Sequence, residues 1–201
     1  MIGFDSGRAG SAGRPGHGGF SLMPRLFTGL QIPSDIAFVL SLKRGGLSGA
    51  RWIDPENYHV TLRYIGDIDH RTAGEVYDAL EMHADVEPFD LTISHLGVFG
   101  GNKPRALYAA IAPSEPLNRL QASQERLLQR IGLSPDGRKF VPHVTLARLR
   151  DTGPSDLARH IAQAGHFAPM QFSVDEFVVF SSRDSVGGGP YIVEQDYPLA
   201  A

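Results

Sequence analysis

Two stretches decide the fold: Asn57–Gly66, "NYHVTLRYIG", and Phe140–Leu149, "FVPHVTLARL". Each contains His-Val-Thr-Leu. Valine, threonine and leucine are ordinary strand residues, so the tetrapeptide alone decides little. Its weight depends on whether the surroundings repeat as well, and they do. "RLFTGLQIPS" at Arg25–Ser34 matches "RALYAAIAPS" at Arg105–Ser114, an offset of 80 residues. The motif histidines, His59 and His143, are 84 apart. "PFDLTISHLGVF" at Pro88–Phe99 matches "PMQFSVDEFVVF" at Pro169–Phe180 at an offset of 81. Three matches in one order, at nearly one spacing, read as an internal duplication.

Each repeat reads strand, helix, motif strand, helix, strand. In the first, strands are predicted at Leu26–Ile32, Tyr58–Ile65 and Phe89–Phe99, with helices over Ser34–Arg44 and His70–Ala84. In the second, Leu117, Leu120, Leu127, Leu128 and Ile131 recur at helical spacing before Gly132. The second motif strand is predicted over Phe140–Leu149, a helix over Ser155–Ala164 and a strand over Gln171–Ser182. A last strand, "PYIVEQDYPL", follows a "VGGG" turn. Pro33 and Pro113 end strands, and Ser34 and Ser114 are expected to cap the helices that follow. The expected architecture is α+β and bilobal, with two mainly antiparallel sheets facing each other across a cleft and helices on the outside. Residues 1–22 read as a flexible Gly/Ser/Arg-rich tail. Residues 23–201 read as one bilobal domain, with repeats at about 25–100 and 105–182.

Composition narrows the chemistry. The 201 residues include no cysteine, which excludes disulfides, zinc–thiolate sites, iron–sulfur clusters and thiol nucleophiles. A net charge of -3 gives no overall basic footprint, so contact with nucleic acid must be local. No apolar run approaches the roughly 20 residues that span a bilayer. The tail lacks the apolar core of a signal peptide, and the chain is expected in the cytoplasm. No G-x-x-x-x-G-K-[ST] occurs, which excludes a P-loop.

Strand geometry gives the repeated motif its meaning. Side chains alternate along a strand, so His59 and Thr61 share one face while Val60 and Leu62 take the other. His143 and Thr145 relate to Val144 and Leu146 in the same way. If the histidine faces meet, two imidazoles and two hydroxyls converge on one small volume. One imidazole can protonate a leaving oxygen while the other takes a proton from water. The hydroxyls can donate to phosphoryl oxygens as charge spreads onto them. The two histidines are expected to titrate on opposite sides of neutrality. Arg63, two residues beyond Thr61, has the parity to meet a phosphate. Strict alternation turns Arg148 away from His143, so a role for it requires a bulge or an end of the strand there.

The paired H-x-T-x motifs resemble those of the 2H phosphoesterase superfamily. Within it, "RLFTGLQIP", "RWIDPENYHVTLRYIGDI", "GVFGGNKPRALYAAI" and "RKFVPHVTLARL" look like the bacterial and archaeal RNA 2′,3′-cyclic phosphodiesterases, once described as 2′-5′ RNA ligases. The resemblance runs from about Arg25 to Leu199. It implies hydrolysis of a terminal 2′,3′-cyclic phosphate on RNA, tRNA fragments included, to a 2′-phosphomonoester, with 2′-5′ ligation as the reverse reaction. It makes His59 the proton donor and His143 the acceptor. It makes Thr61, Thr145 and Arg148 phosphate-binding residues, with Arg63 a further candidate. It implies no metal, no cofactor, no membrane and no obligate protein partner, hence a monomer. The tail and Val inside both motifs depart from the familiar pattern and leave the chemistry intact.

His17, His70, His83, His95, His160 and His166 lack a partner pattern and read as surface or structural. Trp52, Phe99, Tyr108 and Phe140 are expected to pack in the core rather than to stack on a base. The turn-rich "GVFGGNKPR" at Gly97–Arg105 reads as a hairpin connection. Two rivals stay open. One is a sister activity on small cyclic nucleotides, ADP-ribose cyclic phosphate or 2′-5′ oligonucleotides. The other is a module that binds RNA ends without turnover.

Overall fold

The computed structural model describes residues 23–81, 86–182 and 189–200. The tail, His17, His83, the expected end of the second helix and most of the "VGGG" turn lie outside them. The strands are β1 (Arg25–Gln31), β2 (Ala50–Trp52), β3 (His59–Asp67), β4 (Phe89–Phe99), β5 (Ala106–Ile111), β6 (His143–Leu149), β7 (Met170–Val174), β8 (Glu176–Ser182) and β9 (Tyr191–Pro198). The helices are α1 (Ser34–Ser41), α2 (His70–Glu81), α3 (Glu115–Arg130) and α4 (Pro154–Gln163). A single 3₁₀ turn at Pro55–Asn57 leads into β3.

The α+β expectation holds, and the described strands pair antiparallel throughout. They follow one path, β7-β4-β5-β6-β3-β1-β8-β9, with β2 against the edge of β6. The two expected sheets are the two halves of this path. They join through one antiparallel pair, Val60 opposite Val144. These two residues are 84 apart, equivalent under the motif repeat. A second pair of equivalents, Leu91 and Phe172, face each other where β4 meets β7. The ladders between these points also repeat. Gly29 faces Thr61 as Tyr108 faces Thr145, and Gly29 faces Val178 as Tyr108 faces Gly97. Register therefore relates β1 to β5 by 79 residues (29 to 108), one fewer than the 80 of the sequence match.

Other expectations need correction. The predicted strand over Gln171–Ser182 breaks at Asp175, and its two parts join different halves of the path. β6 begins at His143 rather than Phe140, since Pro142 supplies no ladder N–H. The three-residue β2 is too short to show alternation. Ser34 lies inside α1, whose N-cap is Pro33, and makes no cap. Ser114 does cap, accepting from the Leu117 N–H at 3.3 Å. Asp69 caps α2 through the Thr72 N–H at 2.8 Å.

The main core takes residues from both halves: Leu26, Leu30, Val60, Leu62, Val144 and Leu146 from the sheet, and Leu117, Leu120 and Leu128 from α3. A smaller cluster under α4 joins Leu157 to Leu107, Ala147 and Leu149.

A β-bulge lies at the same place in both motif strands. Thr61 faces Gly29 and Arg63 faces Thr28, which leaves Leu62 extra. Thr145 faces Tyr108 and Ala147 faces Leu107, which leaves Leu146 extra. One unpaired residue reverses the parity of everything beyond it. The Arg63 expectation is thus overturned: Arg63 is 5% exposed, turned to the core side with an ion pair to Glu125 of α3. Its guanidinium also donates to the carbonyls of Tyr64 and Ser134. Removing one partner of a buried pair strands the other charge, at a cost of about 3–5 kcal/mol. Arg63→Met should therefore lower Tm by roughly 10 °C, at 2–4 °C per kcal/mol for a chain of this size. Glu125→Leu in the same chain should restore most of the loss, as thermal unfolding of single and double variants would show.

Candidate active site

The Val60–Val144 pair sets the site. Both valines are fully buried on the core side, so the residues flanking them face the other way. Antiparallel register about this pair sets His59 beside Thr145 and His143 beside Thr61. The arrangement is crosswise: each hydroxyl stands beside the imidazole of the other repeat. The four predicted residues are brought together.

The cleft straddling the seam is lined by Arg25, Phe27, His59, Thr61, Tyr64, Arg148, Ser182 and Tyr191. Arg148 reaches it because of the bulge. In β3 the same bulge brings Tyr64, 84 residues earlier, to the equivalent place. Of the predicted site residues, His59, Thr61 and Arg148 line this cleft, His143 and Thr145 flank Val144 at the seam, and Arg63 is turned to the core.

Both imidazoles are oriented in one way. His59 Nδ1 lies 2.8 Å from the Asn57 carbonyl, and His143 Nδ1 lies 2.6 Å from the Val141 carbonyl. A carbonyl oxygen only accepts, so each Nδ1 carries the proton and donates it. That fixes the neutral tautomer and leaves Nε2 for chemistry. The Asn57 side chain contributes separately. Its Oδ1 accepts from the Tyr191 N–H at 2.9 Å, tying β9 to the residue that orients His59.

The surroundings of the two rings differ. His59 sits among Phe27, Phe180 and Tyr191, with centroid distances of 5.0, 5.3 and 4.9 Å. His143 meets Phe99 at 4.8 Å and Tyr108 at 5.3 Å, and those two stack on each other at 4.2 Å. Tyr108 lies over Gly97, where a Cβ would come within 2.4 Å of its ring, so only glycine admits this stack. Phe99 and Tyr108 are thus site residues rather than core filling. Trp52 and Phe140 do pack against the core. Among the other histidines, His95 meets Ser94, and His160 lies 5.5 Å from Trp52.

Sequence reading also missed Phe27, Phe180, Tyr191, Tyr64 and Asn57. One signal was available: Phe99 and Phe180 close the matched stretches, so a role for one implied a role for the other. Tyr64 was hidden by the bulge.

Burial pushes the His59 pKa down to about 4; the Asn57 carbonyl opposes this, and the charges of His143 and Arg148 add to it. His143 is also lowered, first by burial and then by Arg148, against the Val141 carbonyl. The expectation that the pair straddles neutrality is corrected: both fall below the usual histidine value, so both are neutral at pH 7 without substrate. Among the described residues, no group of three or more His, Asp or Glu is gathered to hold a metal.

Known proteins resemble this chain in fold and in sequence. A Thermus thermophilus structure shares the fold with a TM-score of 0.73 and 21% identity, covering 87% of this chain and 97% of that one. The Escherichia coli LigT structure complexed with 3′-AMP has a TM-score of 0.70 and 21% identity, covering 89% and 99%. An Aquifex aeolicus RNA 2′,3′-cyclic phosphodiesterase is 32% identical over 155 residues, 73% of this chain and 81% of the relative. A Bacillus subtilis protein of the same name is 28% identical over 145 residues, 70% and 79%. The 2′-5′ RNA ligase superfamily model matches residues 49–185, and the chain belongs to that superfamily.

The electrostatics can be tested directly. In Arg148→Met, loss of the cation should move both imidazole pKa values upward, His143 included. An NMR titration of the two ring signals would show this, and in wild type should find both pKa values below 6.5 with the proton on Nδ1 in the neutral form.

Proposed function

We propose that the chain hydrolyses the 2′,3′-cyclic phosphate at an RNA end to a 2′-phosphomonoester, by two-histidine acid–base catalysis without a metal. The crosswise His59/Thr145 and His143/Thr61 arrangement, with both Nε2 atoms left for chemistry, carries this reading. The named activity of the Aquifex and Bacillus relatives supports it.

In this scheme the cyclic phosphate lies over the seam. The hydroxyls of Thr61 and Thr145 donate to its non-bridging oxygens, and the Arg148 guanidinium offsets their charge. His143 Nε2 takes a proton from water as the water oxygen bonds to phosphorus. The bond from phosphorus to the 3′ oxygen breaks, and His59 Nε2–H protonates that oxygen. The ring opens to a 2′-phosphate and a 3′ hydroxyl. His59 ends neutral and His143 protonated, and solvent restores both. With a ribose 5′ hydroxyl in place of water, the same forward steps form a 2′-5′ bond: its oxygen bonds to phosphorus as His143 takes its proton, and the 3′ oxygen leaves protonated by His59. Both proton transfers are supplied by the imidazoles, so no step calls for a metal. RNA ends, tRNA fragments among them, are the proposed substrates, and a cytoplasmic monomer the proposed form.

The low pKa values shape the pH dependence. Activity needs His59 protonated, which rising pH removes, and His143 neutral, which falling pH removes. The product of these two fractions peaks midway between the two pKa values, and both lie below 6.5. The kcat/KM profile should therefore be a bell with its maximum on the acid side of pH 6.5; a flat profile from about pH 5 to 8 would remove the scheme.

The direct test is a short RNA with a 2′,3′-cyclic phosphate end, incubated in EDTA with wild type, His59→Ala and His143→Ala. Wild type should yield the 2′-phosphate, and each variant should lose about two orders of magnitude or more. Cleavage of small cyclic nucleotides alone would reassign the substrate. Binding without turnover would make the site a receptor for RNA ends.

A further inference from the structure

The two repeats place the same groups at the seam and different groups one step beyond it. Where β6 offers Arg148 to the cleft, β3 offers Tyr64, which is 40% exposed. Tyr64 stands between two arginines. On β1, Arg25 also lines the cleft, and Asp67 fixes it through Nε and one Nη, both at 3.0 Å. That fork leaves the other Nη not engaged by Asp67. On the far side, the Arg138 guanidinium lies over the Tyr64 ring, 5.8 Å from its centroid. Asp136 holds Arg138 in turn, at 2.9 and 2.8 Å.

The loop carrying Arg138 is itself anchored. The Asp136 N–H donates to Glu125 Oε1 at 3.0 Å, and Ser134 receives the buried Arg63 guanidinium. Both cations are thus held in place before any ligand arrives, which lowers the ordering cost of binding. Along β3, Tyr64 lies three residues past Thr61, and the bulge at Leu62 makes the run shorter than the roughly 10 Å of a regular strand. That is the scale of one nucleotide. A flat ring with cations on either side, next to a groove, is what grips single-stranded nucleic acid without reading its sequence.

We propose that Arg25, Tyr64 and Arg138 form a lip that holds the nucleotide preceding the cyclic-phosphate end, so that the site takes polynucleotide ends in preference to mononucleotides. The Tyr64–Arg138 pair offers a surface for the base and Arg25 a cation for the preceding phosphate. This rests on the phosphodiesterase reading above and names the part of the substrate that reading leaves open.

The test measures binding, so it does not depend on turnover. Affinities of wild type, Tyr64→Ala, Arg25→Met and Arg138→Met are compared for a ribotrinucleotide ending in a 2′-phosphate and for adenosine 2′-monophosphate. Wild type should bind the trinucleotide at least about tenfold more tightly. Each variant should lose about tenfold for the trinucleotide and far less for the mononucleotide, the scale of one stacked base or one charged contact. Arg138 is largely exposed, so its variant keeps the test valid if Tyr64→Ala melts early. Equal wild-type affinities for the two ligands, or equal losses on both, would overturn the lip. Tight, lip-dependent trinucleotide binding in a chain that opens no cyclic phosphate would support the lip and overturn the phosphodiesterase reading instead.

Discussion

A single antiparallel contact, Val60 against Val144, governs the chemistry of this protein. Its two side chains are fully buried in a core shared by both halves. Whatever flanks them is therefore presented together on the opposite face. Both histidines lie on described strands, His59 on β3 and His143 on β6, so the sheet fixes their positions. The main-chain carbonyls two residues before each histidine then set the rings. Position comes from the sheet and orientation from the turn before it. Both are backbone devices, which accounts for so short a motif being enough.

The bulge beside each motif does more than re-aim one side chain. It brings residue 148 to the cleft in one repeat and residue 64 in the other, and the two carry different groups, a cation and a phenol. Strand β1 departs from β5 in the same spirit. Phe27 takes the place of Ala106 and Gly29 the place of Tyr108. An aromatic ring thus stands one row further from the seam beside His59 than beside His143. The result is a matched pair of imidazoles in unmatched surroundings. His59 is the more enclosed, and burial, with a smaller contribution from Arg148, lowers the pKa of both rings.

The organisation was legible because duplication supplies an internal control: one His-x-Thr is noise, whereas two with matching flanks are not. Parity then put His59, Thr61, His143 and Thr145 on one face, opposite the buried Val60 and Val144. It failed for Arg63, because a one-residue bulge leaves no mark in the sequence; Leu62 and Leu146 look like any core leucine. For Arg148 either a bulge or an end of the strand would serve, and alternation could not choose between them. The break at Asp175 was hidden because both parts of the strand are apolar and β-prone. Burial of His59 among Phe27, Phe180 and Tyr191 depends on strand neighbours distant in the chain, so its lowered pKa was out of reach. The β1 offset was misread by one residue because the Pro-Ser pairs align by sequence and not by ladder.

The break at Asp175 has a further consequence. β4, from the first repeat, pairs with β5 of the second, while β8, from the second, pairs with β1 of the first. Each repeat thus completes its sheet with a strand lent by the other, and the boundary between repeats is not a boundary between sheets. Severing the backbone in the hairpin between β4 and β5 would divide the sequence neatly and leave two fragments, each with unpaired strand edges that the other alone fits. Such fragments are built for mutual complementation rather than solitary folding. The two histidines therefore share one cooperative unit, and neither half can loosen without exposing the edge on which the other depends.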